Sequence, residues 1–137
     1  ATGTGTFVCN NIQLFRNRFG GYVDLVGGSP TGYADGWVIF NNIFDSYING
    51  GATSRISVSP TNIIIANNIF NSSAYVYAFN SNSVLIDHNT FLGTGQKIYT
   101  LFNVLVTNNI FARTGGTVLN GTVLATFNNN LSNQSTI

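Results

Sequence analysis

An eight-residue pattern written six times within 137 residues is the feature that most constrains this chain. Aligned on the residue that closes it, the copies read IQLFRNRF to Phe19, WVIFNNIF to Phe44, IIIANNIF to Phe70, VLIDHNTF to Phe91, VLVTNNIF to Phe111 and LATFNNNL to Leu131. The steps between closing residues are 25, 26, 21, 20 and 20. Spacing of this kind marks a repeat architecture, in which each unit buries its apolar side only against its neighbours. It predicts a single domain over residues 1–137.

Within each copy the period is two. Seven and five residues before the closing position stand Ile12 and Leu14, Trp37 and Ile39, Ile63 and Ile65, Val84 and Ile86, Val104 and Val106, then Leu124 and Thr126. Alternation belongs to a strand with one buried face. A third apolar cluster, Val26, Tyr77, Ile98 and Val118, follows about seven residues after the closing position. Three short strands therefore make one circuit. Circuits stacked at about 4.8 Å pair each strand with its equivalent in the next, in parallel. The expected fold is all-β, a parallel β-helix of about six coils and roughly 29 Å long, with Phe19, Phe44, Phe70, Phe91, Phe111 and Leu131 as its core stack. Gly27 to Gly36 is expected to protrude as a loop, and Thr6 to Cys9 and Arg55 to Ser59 to form further short strands.

Two residues before each closing position the chain places Asn17, Asn42, Asn68, Asn89, Asn109 and Asn129. A bend between parallel sheets leaves backbone groups facing inward without a ladder partner, and an unpaired buried amide costs on the order of 1–3 kcal/mol. Asparagine tolerates the left-handed conformation of a bend and carries both donor and acceptor. Six in register are expected to stack and bond to one another and to the bend. The recurring NNIF and HNTF, with apolar residues before them, resemble the repeats of the pectin-lyase-like parallel β-helices, whose right-handed coils carry an internal asparagine ladder. The resemblance spans Ile12 to Leu131. It implies the fold far more than an activity, since that scaffold serves polysaccharide lyases and hydrolases, epimerases, tailspikes and adhesins.

Polysaccharide-cleaving members of that group work through aspartates clustered on neighbouring coils. Here Asp24, Asp35, Asp45 and Asp87 occupy four different places in the repeat, so no paired-carboxylate site is expected. His88 beside Asp87 is the remaining catalytic candidate, and its column, shared with Arg16, Asn41, Asn67, Asn108 and Asn128, reads as an outward turn. Arg55 in SRIS resembles the Arg-Ile-Lys of polygalacturonases, but Ser57 replaces the lysine. With one histidine and one cysteine there is no metal-ligand spacing, and no cofactor is expected. Cys9 is read as a small buried hydrophobe or as one half of an interchain bridge. Only 7% of residues are charged and the net charge is +1, which gives a nucleic acid or an anionic membrane little to bind. No apolar run approaches the length of a membrane span.

Other residues point outward. Six before each closing position stand Gln13, Val38, Ile64, Leu85, Leu105 and Ala125, and one before it Arg18, Ile43, Ile69, Thr90, Ile110 and Asn130. The apolar members form two stripes larger than a monomer usually exposes, so Val38, Ile64, Leu85, Leu105, Ile43, Ile69 and Ile110 are the candidate assembly surface. Arg18 and Asp45 are placed to meet across the first two coils. Neither end shows a polar cap. A step from Leu131 through the end of one chain to Phe19 of the next is 6 + 19 = 25 residues, matching the first internal step. The expectation is a structural subunit that self-assembles head to tail, an arrangement that does not close, into an extracellular or cell-surface filament, fibre or sheath. The alternatives are a carbohydrate-active or glycan-binding domain using its tyrosines, and a segment of a longer solenoid. Sequons at Asn71, Asn120, Asn130 and Asn133 are candidate glycosylation sites.

Overall fold

Side chains that alternate in and out along short segments require a partner strand on each edge, and the stacked copies supply one. The computed structural model describes residues 8–21, 23–24, 33–45, 48–49, 61–71, 74, 76–78, 82–93, 98–100, 104–112, 119–121 and 125–132. Every strand pairing among them is parallel. The strands form three sheets that together make a parallel β-helix.

The first sheet has eight strands. Val8–Asn10, Tyr33–Asp35, Thr61–Ala66, Asn82–Asp87, Val104–Thr107 and Ala125–Asn128 follow in order, and Gln13–Phe15 pairs with Val38–Phe40, which pairs in turn with Thr61–Ala66. The first two circuits are interrupted at Asn11 and Gly36, where the third and fourth run straight through Asn62 and Ser83. All four residues have positive φ. Gly36 fits because a Cβ there would collide with the Asn11 carboxamide oxygen. Tyr33–Asp35 is thus a strand where a loop was expected, and of the strand expected over Thr6 to Cys9 the described part is Val8–Asn10, Thr6 and Phe7 lying outside the described residues. Arg55 to Ser59 lies outside the described residues.

The second sheet stacks six two- or three-residue strands, Arg18–Phe19, Ile43–Phe44, Ile69–Phe70, Thr90–Leu92, Ile110–Ala112 and Leu131–Ser132. The third has five: Val23–Asp24, Ile48–Asn49, Val76–Ala78, Ile98–Thr100 and Leu119–Gly121. Circuits complete in all three sheets therefore number fewer than the six copies among the described residues. In the third sheet the paired column is Val23, Ile48, Val76, Ile98 and Leu119. Of the four residues expected there only Ile98 belongs to it; Tyr77 is its neighbour, and Val26 and Val118 lie outside the described residues.

The core is three apolar columns beside one aromatic stack. Ile39, Ile65, Ile86 and Val106 are fully buried in one column, and Trp37, Ile63, Val84 and Val104 are buried in the next. Phe19, Phe44, Phe70, Phe91 and Phe111 stack face over face, with centroids 5.0, 4.9, 4.6 and 4.9 Å apart and ring planes within 17° of parallel. That interval is the spacing of paired strands, so the backbone sets the ring separation. Burying each ring contributes about 2–3 kcal/mol.

The sixth copy departs from the expected register by one residue. Phe127 pairs with Val106, Leu131 with Ile110 and Ser132 with Phe111. Leu131 is consequently no core residue but 65% exposed, and Ser132 holds the phenylalanine column. The slip turns Phe127 toward the core in place of Thr126, and the apolar area removed from water favours that exchange.

Candidate assembly surface

The corner between the first and second sheets is built from an outward residue followed by an inward asparagine. Arg16, Asn41, Asn67, His88, Asn108 and Asn129 all lie at φ between 52° and 59°, the left-handed region that asparagine enters most easily among residues with a Cβ. The inward residues are Asn17, Asn42, Asn68, Asn89, Asn109 and Asn130. Asn129, expected in the row, stands in the outward column instead, because the Asn128-Asn129-Asn130 run allows two registers and the Phe127 placement selects this one.

Asn42, Asn68, Asn89 and Asn109 are buried, and each uses its whole amide. Asn68 donates its backbone N–H to Asn89 Oδ1 at 2.9 Å and its Nδ2 to Asn89 Oδ1 at 3.0 Å, Ala66 O at 2.9 Å and Ile39 O at 2.9 Å. Its own Oδ1 accepts from Asn42 N at 2.8 Å and Asn42 Nδ2 at 3.1 Å. Every rung repeats this in one direction, an earlier asparagine donating to the Oδ1 of the next. Among the described residues the row therefore has one polarity from Asn17 to Asn130. On Asn17, which is exposed, Oδ1 accepts from no donor among the described residues. At the far end Asn130 donates Nδ2 to Val106 O at 2.9 Å, and its backbone N–H has no acceptor among the described residues.

The seven candidate surface residues lie on the outer faces beside this corner. Ile64, Leu105, Ile69 and Ile110 are exposed, whereas Val38, Leu85 and Ile43 are half-buried. Leu131 extends the column of Ile43, Ile69 and Ile110, with Thr90 within it, and exposed Thr126 ends the column of Leu85 and Leu105. Between the two apolar columns runs the polar ridge of left-handed residues. The outer face is thus two narrow apolar strips flanking a line of amides.

The carboxylates of Asp35, Asp45 and Asp87 each have partners of their own. Asp45 accepts from Arg18 Nε at 2.7 Å and from Asn71 Nδ2 at 2.8 Å, tying three circuits. Asp35 accepts from Thr61 Oγ1 at 2.6 Å and Asn62 Nδ2 at 2.8 Å. Asp87 meets His88 Nδ1 at 2.8 Å and accepts from Asn108 Nδ2 at 2.9 Å. No group of three His, Cys, Asp or Glu side chains able to hold a metal occurs among the described residues. His88 sits on the outward ridge with its side chain 58% exposed, bonded to the neighbouring Asp87.

These contacts fix the acid response. Hydrogen bonds from Arg18 and Asn71 hold the Asp45 carboxyl below its ordinary value, and bonds from Thr61 and Asn62 do so for Asp35. Burial pushes Asp87 upward, but the bonds from His88 and Asn108 together leave it lowered. A carboxyl lowered in the folded state contributes stability above its unfolded value, near pH 4, and loses it as the pH falls. The melting temperature is expected to be level from neutrality to about pH 5 and to drop below about pH 4. A melting temperature that rises on acidification, followed by circular dichroism, would contradict these three assignments.

The glycosylation candidates divide. Asn130 belongs to the interior row and its Nδ2 is bonded to Val106 O, so a glycan there is incompatible with the fold. Asn71 uses its Nδ2 on Asp45. Asn120 lies on a third-sheet strand, and Asn133 is outside the described residues. The side chain of Cys9 is likewise outside what is described. Sequence reasoning missed Asn130 as a row member and missed Phe15 and Phe40, neighbours in register that are 52% and 36% exposed. The F-R/N-N spacing common to their two copies was the available signal. No helix among the described residues is long and apolar enough to cross a membrane. No family model, curated protein or solved structure matches the chain.

Proposed function

We propose that the chain is a structural subunit that associates with copies of itself, head to tail along the solenoid axis and side by side through its outer strips, into an extracellular filament, fibre or sheath. The observation that carries this reading is the exposed isoleucine and leucine standing in register on the outer faces, Ile64 and Leu105 on either side of half-buried Leu85, and Ile69 and Ile110 on either side of Thr90 and continuing to Leu131. Strips repeated at strand spacing match a second copy of themselves side chain for side chain. The inward asparagine row and the three-strand circuits support grouping the chain with the pectin-lyase-like β-helices. A polar surface made of Asn, Thr, Ser and Gly with little charge supports the extracellular setting. Purified chain is expected to show concentration-dependent assembly by sedimentation velocity and filaments by electron microscopy. A species that stays monomeric at millimolar concentration would end this reading.

A second reading, a glycan-binding or carbohydrate-active domain, is favoured by the exposed Phe15 and Phe40 side by side on adjacent circuits, a surface on which a sugar ring can rest. Binding of a soluble polysaccharide that is lost in Phe15→Ala and Phe40→Ala, with assembly absent, would replace the first reading by the second.

A further inference from the structure

Three outward columns read nearly the same in both directions along the solenoid. Down the second sheet stand Ile43, Ile69, Thr90, Ile110 and Leu131, and down the first Val38, Ile64, Leu85, Leu105 and Thr126. Along the ridge between them come Asn41, Asn67, His88, Asn108 and Asn129. All three reverse about one circuit, that of Leu85, His88 and Thr90. Exposure keeps the same order. Ile69 and Ile110 are 39% and 44% exposed on either side of half-buried Thr90, and Ile64 and Leu105 are 39% and 38% exposed on either side of half-buried Leu85.

A surface whose order reverses onto itself is self-complementary under a two-fold axis. We infer that two copies pair side by side and antiparallel through the outer face of the second sheet, about a two-fold axis that passes beside Thr90. This rests on the self-association reading above and specifies the face, register and direction of its lateral contact. Ile69 of one copy then faces Ile110 of the other, Ile43 faces Leu131, and Thr90 faces Thr90. A threonine hydroxyl both donates and accepts, so the pair on the axis leaves no polar group stranded.

The two apolar strips lie on different sheets to either side of a corner, so one flat partner covers one of them. Charge decides which. On the first sheet the neighbouring outward column is Phe40, Ala66, Asp87, Thr107 and Asn128, and the same axis there would set Asp87 against Asp87. Like charges set opposite each other disfavour a contact. On the second sheet the neighbouring residues around the axis are Asn71, Leu92 and Ala112, which places Leu92 against Leu92 and Asn71 against the small Ala112. The charged side chains described on that face, Arg18 and Asp45, stand two or more circuits from the axis and are bonded to each other at 2.7 Å. Two outward columns about 7 Å apart, over five circuits at about 4.8 Å, are small beside the roughly 800 Å² that each partner buries in a stable dimer. A single pair is therefore short-lived, whereas subunits joined along one axis present the strip again and again and hold by multiplicity.

Cysteine at these outward positions is expected to leave melting within a few degrees of the parent. The variants are treated with a bis-maleimide whose reach is about the 10 Å between packed sheets, and linked peptides are identified by mass spectrometry, which separates them from links through Cys9. Thr90→Cys is expected to link to itself. In the antiparallel register Ile69 and its own copy are offset by about 10 Å along the axis, so Ile69→Cys mixed with Ile110→Cys should give about tenfold more of the mixed link than of either self-link. Equal self-linking by Ile69→Cys would overturn the antiparallel order. Faster linking of Ile64→Cys, on the first sheet, than of Thr90→Cys would overturn the choice of face. Parent filaments without these links would overturn the lateral pairing and leave axial association standing. A parent chain that stays monomeric at millimolar concentration would overturn both.

Discussion

Asn89→Leu, which keeps the branched shape of the amide and removes its polarity, is expected to be strongly destabilising. Asn89 accepts from Asn68 N and Nδ2 and donates its Nδ2 to Ile65 O, Asp87 O and Asn109 Oδ1, at distances of 2.8 to 3.0 Å. Leucine leaves donors on one rung and carbonyls on two circuits without partners, in a site from which water is excluded. At about 1–3 kcal/mol for each stranded group, a loss of about 4 kcal/mol follows. For a domain of this size that is a fall of about 15 °C in melting temperature. A fall of less than about 3 °C would mean that the row bears little of the fold.

Asn89→Asp separates the hydrogen bonds from the volume. The carboxylate has no proton for Ile65 O or Asp87 O, and burial raises its pKa by disfavouring charge. A carboxyl raised in the folded state supports the fold below its unfolded value and ceases to do so as the pH rises. The variant should therefore lose stability upward from about pH 4, opposite in sign to the acid loss set by Asp35, Asp45 and Asp87.

Phe70→Ala is the second large effect. Its ring lies 4.9 Å from Phe44 and 4.6 Å from Phe91 and is fully buried, so truncation opens a gap in the middle of the aromatic stack. The expected cost is about 3–5 kcal/mol, against about 1–2 kcal/mol for Phe70→Leu, which keeps most of the volume. Urea unfolding should show the midpoint falling in that order. In a solenoid each unit touches only its neighbours, so a defect at the centre also weakens the coupling of the two halves and broadens the transition. An unbroadened transition with an unchanged midpoint in Phe70→Ala would contradict the stack as a cohesive element.

The parts of this structure legible in the sequence are those that recur with one possible alignment. In the copies closing at Phe44, Phe70, Phe91 and Phe111, one outward and one inward residue precede an aliphatic or threonine and a phenylalanine, so corner, amide row and ring stack can be located together. Three consecutive asparagines at 128–130 remove that uniqueness, and only the preference of Phe127 for the interior over Thr126 decides the register. The third sheet was hardest to place because its strands are two or three residues long and the loops leading to them differ in length, so distance from the closing residue is a poor guide. The outer strips were visible as columns, while their degree of exposure depended on neighbouring side chains that no single column contains. The direction of the bonds along the asparagine row required atomic positions, since the sequence of each copy reads the same whichever neighbour donates.

The equivalence of successive circuits bears on how such a chain can change over generations. Asn68 and Asn89 give and receive the same bonds, and Phe70 and Phe91 meet the same rings above and below. Nothing in the interior counts how many circuits there are. Duplication or excision of one whole circuit preserves every kind of contact, whereas inserting a single residue between Val104 and Asn109 would turn the inward side chains out. Length is therefore free to vary in whole circuits and in the loops between sheets, and nearly frozen along the strand that leads into each corner.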